Sequence, residues 1–267
     1  MKFKFLIFIT ITTGIAFCFG DAKYTSQSLK DLQRKIDNDI NDRYALSSNY
    51  NPSELEPIYD GVVNEEKYLD AKYKILWVLK EPYDQDGGGW SLREALNPSY
   101  YKYTNGAISP ISNNGGGRTN RNILFISYGI LNGFLTFQNP NMEYIISHPE
   151  MEDTFSRIAR INISKLPGGT TSNNSEIAKD YEFWSDIILE QIKGFNPDVI
   201  IFGNTFFSSL MNDLGIAQYD MRLYSDKQQL SFCKKNNCLY ISARHPGIWI
   251  GRKDYINSII ELCRDNL

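Results

Sequence analysis

The sequence predicts an α/β protein, a three-layer α/β/α arrangement around a central, mostly parallel four-stranded sheet. Three observations predict it. Four short, near-continuous apolar runs recur at residues 74–79, 158–164, 198–203 and 239–243. Segments with apolar residues at helical spacing separate them. The 267-residue chain is 42% hydrophobic, 13% aromatic and 22% charged, which is enough apolar mass for a buried core. A strand that is apolar at every position has both faces covered, as parallel strands in βαβ units do. The same composition excludes a disordered, collagen-like or polytopic membrane chain. A formal charge of −3 argues against nonspecific nucleic-acid binding driven by bulk charge, and leaves a local basic patch open.

The elements follow in order. Met1-Lys2-Phe3-Lys4 and the uncharged run from Phe5 to Gly20 read as a signal peptide or N-terminal anchor over residues 1–20. The run is short for a bilayer span, which needs about 20 apolar residues. It points to export or membrane anchoring. Residues 21–73 form an N-terminal helical extension, in which Leu29, Leu32, Ile36 and Ile40 make an apolar stripe over 26–46. Residues 74–267 form the α/β domain. Its first strand ends at Glu81-Pro82, where proline removes a backbone donor. Residues 84–120, with glycine triplets at Gly87–Gly89 and Gly115–Gly117, read as a mobile flap over a site. A helix over 121–135 precedes the second strand. Helices over 175–193, with Ser175 able to cap, and 205–214 flank the third. A helix over 253–264 closes the chain.

Cys18 lies in the first apolar run, leaving Cys233, Cys238 and Cys263. Cys233 and Cys238 either bridge or flank a polar turn. No paired C-x-x-C spacing occurs and the chain has two histidines, so no metal site is expected. Neither glycine triplet matches a phosphate-loop or dinucleotide pattern, so no cofactor is expected. A monomer is expected.

In open parallel sheets, sites form beyond the carboxyl ends of the strands. Those ends deliver Lys80, Glu81, Tyr83 and Asp84; then Asn162, Ser164 and Lys165; then Gly203 and Asn204; then Arg244 and His245. A carboxylate, an amide, a histidine and several cations are thereby expected along one edge. His148, beside Pro149 in a polar linker, reads as a surface residue, and Trp77 and Phe202 as core.

Four segments, in order, resemble the uracil-DNA glycosylase superfamily. Ile75-Leu76-Trp77-Val78-Leu79-Lys80-Glu81-Pro82-Tyr83 looks like the family's first motif, a strand running into a turn with an acidic or amide residue before proline. Arg160-Ile161-Asn162-Ile163-Ser164-Lys165-Leu166-Pro167-Gly168 looks like its second strand, and Pro197-Asp198-Val199-Ile200-Ile201-Phe202-Gly203 like its third. Ala243-Arg244-His245-Pro246-Gly247 looks like the closing His-Pro-Ser motif. The resemblance covers residues 72–267. It implies that Glu81 and His245 are catalytic, Glu81 by positioning water and His245 by stabilising negative charge on the departing base. It implies that Asn162 binds the base edge, with Tyr83 or Trp90 stacking on its face. Lys80, Lys165, Arg118 and Arg244, with Arg121 beside them, would contact phosphates, and Gly247 would offer its backbone amide. Leu79 stands where the family has glycine, and Gly247 where it has serine.

N-glycosidic cleavage passes through a cationic sugar and an anionic base, so it needs a carboxylate and a hydrogen-bond donor. The base must also leave the stack. The expectation is a DNA glycosylase-like, monofunctional N-glycosyl hydrolase acting on uracil or a related damaged base, with DNA or a nucleobase-containing ligand as partner. Two alternatives remain: a non-catalytic nucleobase- or nucleic-acid-binding relative of the same fold, and an exported small-molecule hydrolase. The resemblance itself implies a cytoplasmic protein, against the export signal.

Overall fold

A computed structural model describes residues 24–46, 55–84, 87–103, 109–112, 117–169, 173–248 and 251–267. The signal-like segment at 1–20 lies outside these residues. Among them, no helix is long and apolar enough to cross a membrane.

The protein is α/β with a mixed, seven-stranded sheet. The strands are β1 (Gly61–Val62), β2 (Ile75–Leu79), β3 (Ala159–Asn162), β4 (Val199–Gly203), β5 (Arg222–Ser225), β6 (Leu230–Lys235) and β7 (Cys238–Ala243), in the spatial order β1-β3-β2-β4-β7-β6-β5. The four expected strands form the parallel centre, β3-β2-β4-β7. The expectation of a four-stranded sheet is corrected by the three others, which pair antiparallel at its flanks. None of the three is a long apolar run. β1 has two residues, and β5 and β6 are partly exposed.

Nine α-helices among the described residues surround the sheet, including the short α2 (Glu65–Leu69), α6 (Met142–Ser147) and α8 (Ser208–Asp213), and alternate residues of the central strands feed two cores. Ile75, Trp77 and Leu79 pack with Ile201 and Ile241 against α5 (Gly117–Leu131) and α9 (Arg252–Asn266). Leu76, Val78, Ile161, Ile200 and Phe202 pack on the opposite face against α1 (Ser26–Ala45) and α7 (Asn174–Phe195). α1 starts from a reciprocal cap in which Thr25 and Ser28 bond each other's backbone. Its buried Gln33 accepts from Val62 N at 2.7 Å and donates to Val62 O at 3.2 Å, which satisfies the outer edge of β1. α7 ends at Asn196, in the left-handed region with φ 45°, just before Pro197.

Residues 84–120 are not one continuous loop. Two short helices, α3 (Leu92–Leu96) and α4 (Pro98–Tyr103), interrupt them, and Ser91 caps α3 by accepting from Glu94 N. Leu92, Leu96 and Ile111 are core residues. The helix expected over 121–135 is α5, which starts and ends four residues earlier. At the far flank, β6 and β7 join through Asn236 and Asn237, both with positive φ, as a two-residue hairpin turn requires. Cys233 and Cys238 flank that turn as buried free thiols, and Cys263 is likewise free.

Candidate functional site

β3, β2, β4 and β7 end level with one another. Asn162 pairs in register with Leu79, and Gly203 with Ala243. β2 and β4 are joined by the Val78–Phe202 pair one residue earlier. Asn162, Leu79, Gly203 and Ala243 therefore form one row across the sheet, on the face covered by α5. Beyond this row the chain turns away at Lys80-Glu81, Ser164-Lys165, Asn204 and Arg244-His245.

Asn162 is fully buried, and neither Oδ1 nor Nδ2 of its side chain has a hydrogen-bond partner among the described residues. A buried amide left unsatisfied costs on the order of 1–3 kcal/mol. Its backbone, by contrast, is held firmly. Asn162 N donates to Asp60 Oδ2 at 2.7 Å, and Asn162 O accepts from Lys165 Nζ at 2.8 Å.

Lys165 is the main correction to the expected site. It is not at a phosphate-binding rim but fully buried. Its ammonium is shared among Asp60, Asn162 O and Gln191 Oε1, and Gln191 in turn donates to Asp60. Burial pushes the ammonium below its ordinary range, against the opposing pull of the Asp60 charge. Its donors are committed to holding β3.

Glu81 follows β2 and lies against Gly168. A Cβ built on Gly168 would fall 2.0 Å from Glu81 Cγ, so only glycine permits this approach. The two turns zip together: Gly168 N donates to Pro82 O at 2.8 Å, and Asp84 N to Gly168 O at 3.3 Å. Glu81 is half-buried, with Oε2 closed off from solvent. Tyr83 is about half exposed (49%) at the end of this turn. Trp90 packs against the core, and its indole N–H donates to Asp84 Oδ2 at 2.9 Å.

His245 stands two residues past Ala243. Gly203 admits the His245-Pro246 turn, since a Cβ there would lie 2.8 Å from Pro246 Cδ and 2.6 Å from Leu79 Cδ2. Burial, then the Arg160 charge, then the Lys80 charge hold the imidazole down at about 4, so it is neutral at pH 7. Gly247 N donates to His245 Nδ1 at 3.1 Å. That bond makes Nδ1 the acceptor and leaves the proton on Nε2. It also corrects the expected role of Gly247, whose backbone amide is taken by His245 and is not offered to a phosphate.

The cations divide. Lys80 is half-buried and close enough to depress His245. Arg244 is exposed, with its carbonyl accepting from Tyr255 OH at 2.7 Å. Arg118 is exposed in the first turn of α5, and Arg121 is half-buried with Nη1 donating to Ile111 O at 2.7 Å. His148, half-buried, stacks on Tyr144, with ring centroids 4.2 Å apart.

Several contributors were not singled out from the sequence. Arg160, only 8% exposed, sits two residues before Asn162 on the same face of β3 and donates to Asn120 Oδ1 of α5 at 2.8 Å. Burial lowers it to about 10, so it remains a cation at neutral pH. Strand alternation alone places it beside Asn162. Asp60 and Asn122 carried no sequence signal, because their partners lie about a hundred residues away. Asn122 Nδ2 donates to Pro246 O at 2.6 Å and fixes the histidine turn to α5. A groove between α1 and α7, lined by Lys35, Arg43, Asp186 and Glu190, is crossed by ion pairs and lies on the opposite side of the sheet.

Fold and site together define an α/β protein with a buried amide, a neutral histidine and a carboxylate at the carboxyl edge of its parallel strands. Compared with known proteins, the chain matches no family profile and no curated sequence. Among the described residues no group of three or more His, Cys, Asp or Glu side chains is arranged to hold a metal ion.

Proposed function

We propose that this protein is a base-excising N-glycosyl hydrolase with the three-layer fold of the uracil-DNA glycosylase superfamily, acting on uracil or a related damaged base in DNA. Asn162 carries the reading. An amide held rigid by its backbone, with acceptor and donor both unsatisfied, matches a planar ring that presents an N–H beside a C=O. Both of its hydrogen bonds would form only when the base arrives, which favours the correct edge strongly over one lacking it.

The other groups supply the chemistry. As the bond from the sugar to the base nitrogen breaks, the sugar gains positive charge and the base gains negative charge. The Glu81 carboxylate stabilises the former and orients the water that attacks the anomeric carbon. The Nε2–H of neutral His245 donates to the base oxygen on which charge collects, and the nearby Arg160 cation favours the same charge. Tyr83, exposed at the turn, offers an aromatic face to the extruded base, with Trp90 as the second candidate. Lys80, Arg118 and Arg244 are the cations assigned to phosphate contacts in this reading.

Leu79 favours a second reading. Its side chain is buried in the row between Asn162 and Gly203, where the resemblance places a glycine. A leucine there narrows the space for a ring, as expected of a relative that binds a nucleobase or nucleic acid without excising it.

The deciding experiment incubates the protein with a uracil-containing oligonucleotide and looks for alkali-cleavable abasic product on a gel. Excision by wild type, lost in Glu81→Gln and His245→Ala, supports the first reading. Uracil or oligonucleotide binding without product supports the second. No product and no binding sinks both.

A further inference from the structure

Three charged side chains are buried among the described residues: Asp60, Lys165 and Arg160. The first two pair, with Lys165 Nζ 2.9 Å from Asp60 Oδ1. Arg160 is the third, and among the described residues it forms no ion pair. Its one hydrogen bond there runs from Nη1 to Asn120 Oδ1 at 2.8 Å, a neutral amide that is itself fixed by donating to Pro110 O. Arg160 Nε is closed off from solvent without a partner, whereas Nη2, also without a partner, is not closed off. A buried cation with no counter-ion is costly to the fold. Burial outweighs the pull of the Asp60 charge and brings the guanidinium down to about 10, which still leaves it charged at neutral pH.

Its surroundings are those of the candidate site. Arg160 stands two residues before Asn162 on the same face of β3, the face covered by α5. Its cross-strand partner on β2 is Trp77, as that of Asn162 is Leu79. Asn120 lies in the first turn of α5, and Asn122 of the same helix holds Pro246 O just beyond His245. After burial, the Arg160 charge is the largest influence that keeps His245 neutral, and Lys80 adds positive charge there too. An uncompensated cation is thus built into the face that carries the base-reading amide.

We propose that Arg160 sets the substrate class of this site: the ring it takes is an acidic pyrimidine, with a carboxylate beside the edge read by Asn162. The inference rests on reading Asn162 as the group that meets a base edge, and it does not require excision. A ring carboxylate supplies the counter-ion that the fold withholds, through a charge-assisted hydrogen bond in a site shielded from water. A neutral ring such as uracil leaves the guanidinium buried and unpaired. Position 5 is the substituent position that fits, because it adjoins the C4 carbonyl of the edge offered to Asn162 and leaves N1 clear for the sugar.

The test titrates free bases into the full chain by calorimetry. The probes are uracil, 5-carboxyuracil and uracil-5-carboxamide, which has the size of the acid without its charge. Wild type is expected to bind 5-carboxyuracil at least about tenfold more tightly than either neutral ring. Arg160→Met removes the charge at similar bulk and is expected to bring the three rings within about threefold of one another, while Arg160→Lys keeps part of the preference. Methionine strands no buried charge, so Arg160→Met is expected to hold at least the wild-type Tm. The proposal is overturned if either neutral ring binds wild type as tightly as the acid, if no ring binds, or if Arg160→Met folds and keeps the wild-type preference. Should Arg160→Met not fold, the acid against its amide on wild type decides alone. Uracil excision from an oligonucleotide is read separately. Excision without a preference for the acid overturns this inference and leaves the glycosylase reading standing. A preference for the acid without excision does the reverse.

Discussion

The ammonium of Lys165 lies 2.9 and 3.0 Å from the two carboxylate oxygens of Asp60, with both side chains buried, and this pair grips the backbone of Asn162 at N and at O. An ion pair so placed is a positioning device. Removing one partner strands a buried charge, at a cost of about 3–5 kcal/mol, whereas removing both is far milder. Lys165→Met is therefore expected to lower the unfolding free energy in urea by that amount, and Asp60→Asn with Lys165→Met by clearly less than the sum. A single variant that loses under 1 kcal/mol would show that water replaces the missing partner.

That pair also marks the limit of what the sequence discloses. The four central strands were legible because a strand covered on both faces must be apolar throughout. Their carboxyl ends then placed Glu81, Asn162 and His245 on one edge. Lys165 stood at the same edge but turns inward onto the buried Asp60 carboxylate, which lies 105 residues away and so gives no local pattern. β5 and β6 escaped because their half-exposed residues mix with polar ones. The Asn236-Asn237 pair between two short runs was the signal available for the hairpin. α3 was announced by Ser91 with Glu94 three residues on, a capping pattern inside a stretch read as loop.

His245 predicts a pH dependence of stability. Its folded-state value of about 4 lies below the ordinary imidazole value of 6.5. Between those limits the unfolded chain binds a proton that the folded protein refuses, so stability falls as pH drops through the window. The shift corresponds to at most about 3.4 kcal/mol, less to the extent that solvent reaches the ring. Urea unfolding at pH 7.5 and 4.5 should show a smaller loss in His245→Asn than in wild type. Equal losses would mean that the folded ring takes up its proton as readily as the unfolded chain does, so that burial does not hold it neutral.

Leu79 separates the two functional readings. It is 1% exposed and lies in the row beside Asn162. Leu79→Ala should cost about 2–5 kcal/mol as a buried truncation. If leucine narrows a slot that nonetheless takes a base, the folded fraction of Leu79→Ala will bind free uracil more tightly and excise it faster per folded molecule. If activity falls in proportion to folded protein, leucine is core and the ligand lies elsewhere along the edge.

Asn162 makes the sharpest prediction, because stability and function should move in opposite directions. In the free protein its buried amide forms no side-chain hydrogen bonds among the described residues, so the fold bears the desolvation of a donor and an acceptor without return. Leucine has nearly the same shape and carries no polar atoms. Asn162→Leu should therefore raise the unfolding free energy by about 1–3 kcal/mol while abolishing base binding and excision, as expected where a site is kept at the expense of stability. Asn162→Ala removes the same polar atoms but opens a void, and should stabilise less or not at all. Urea denaturation and uracil titration on the same preparations read both quantities. If Asn162→Leu is destabilised, the amide already has partners in the folded protein, and its claim to recognise a ligand fails with them.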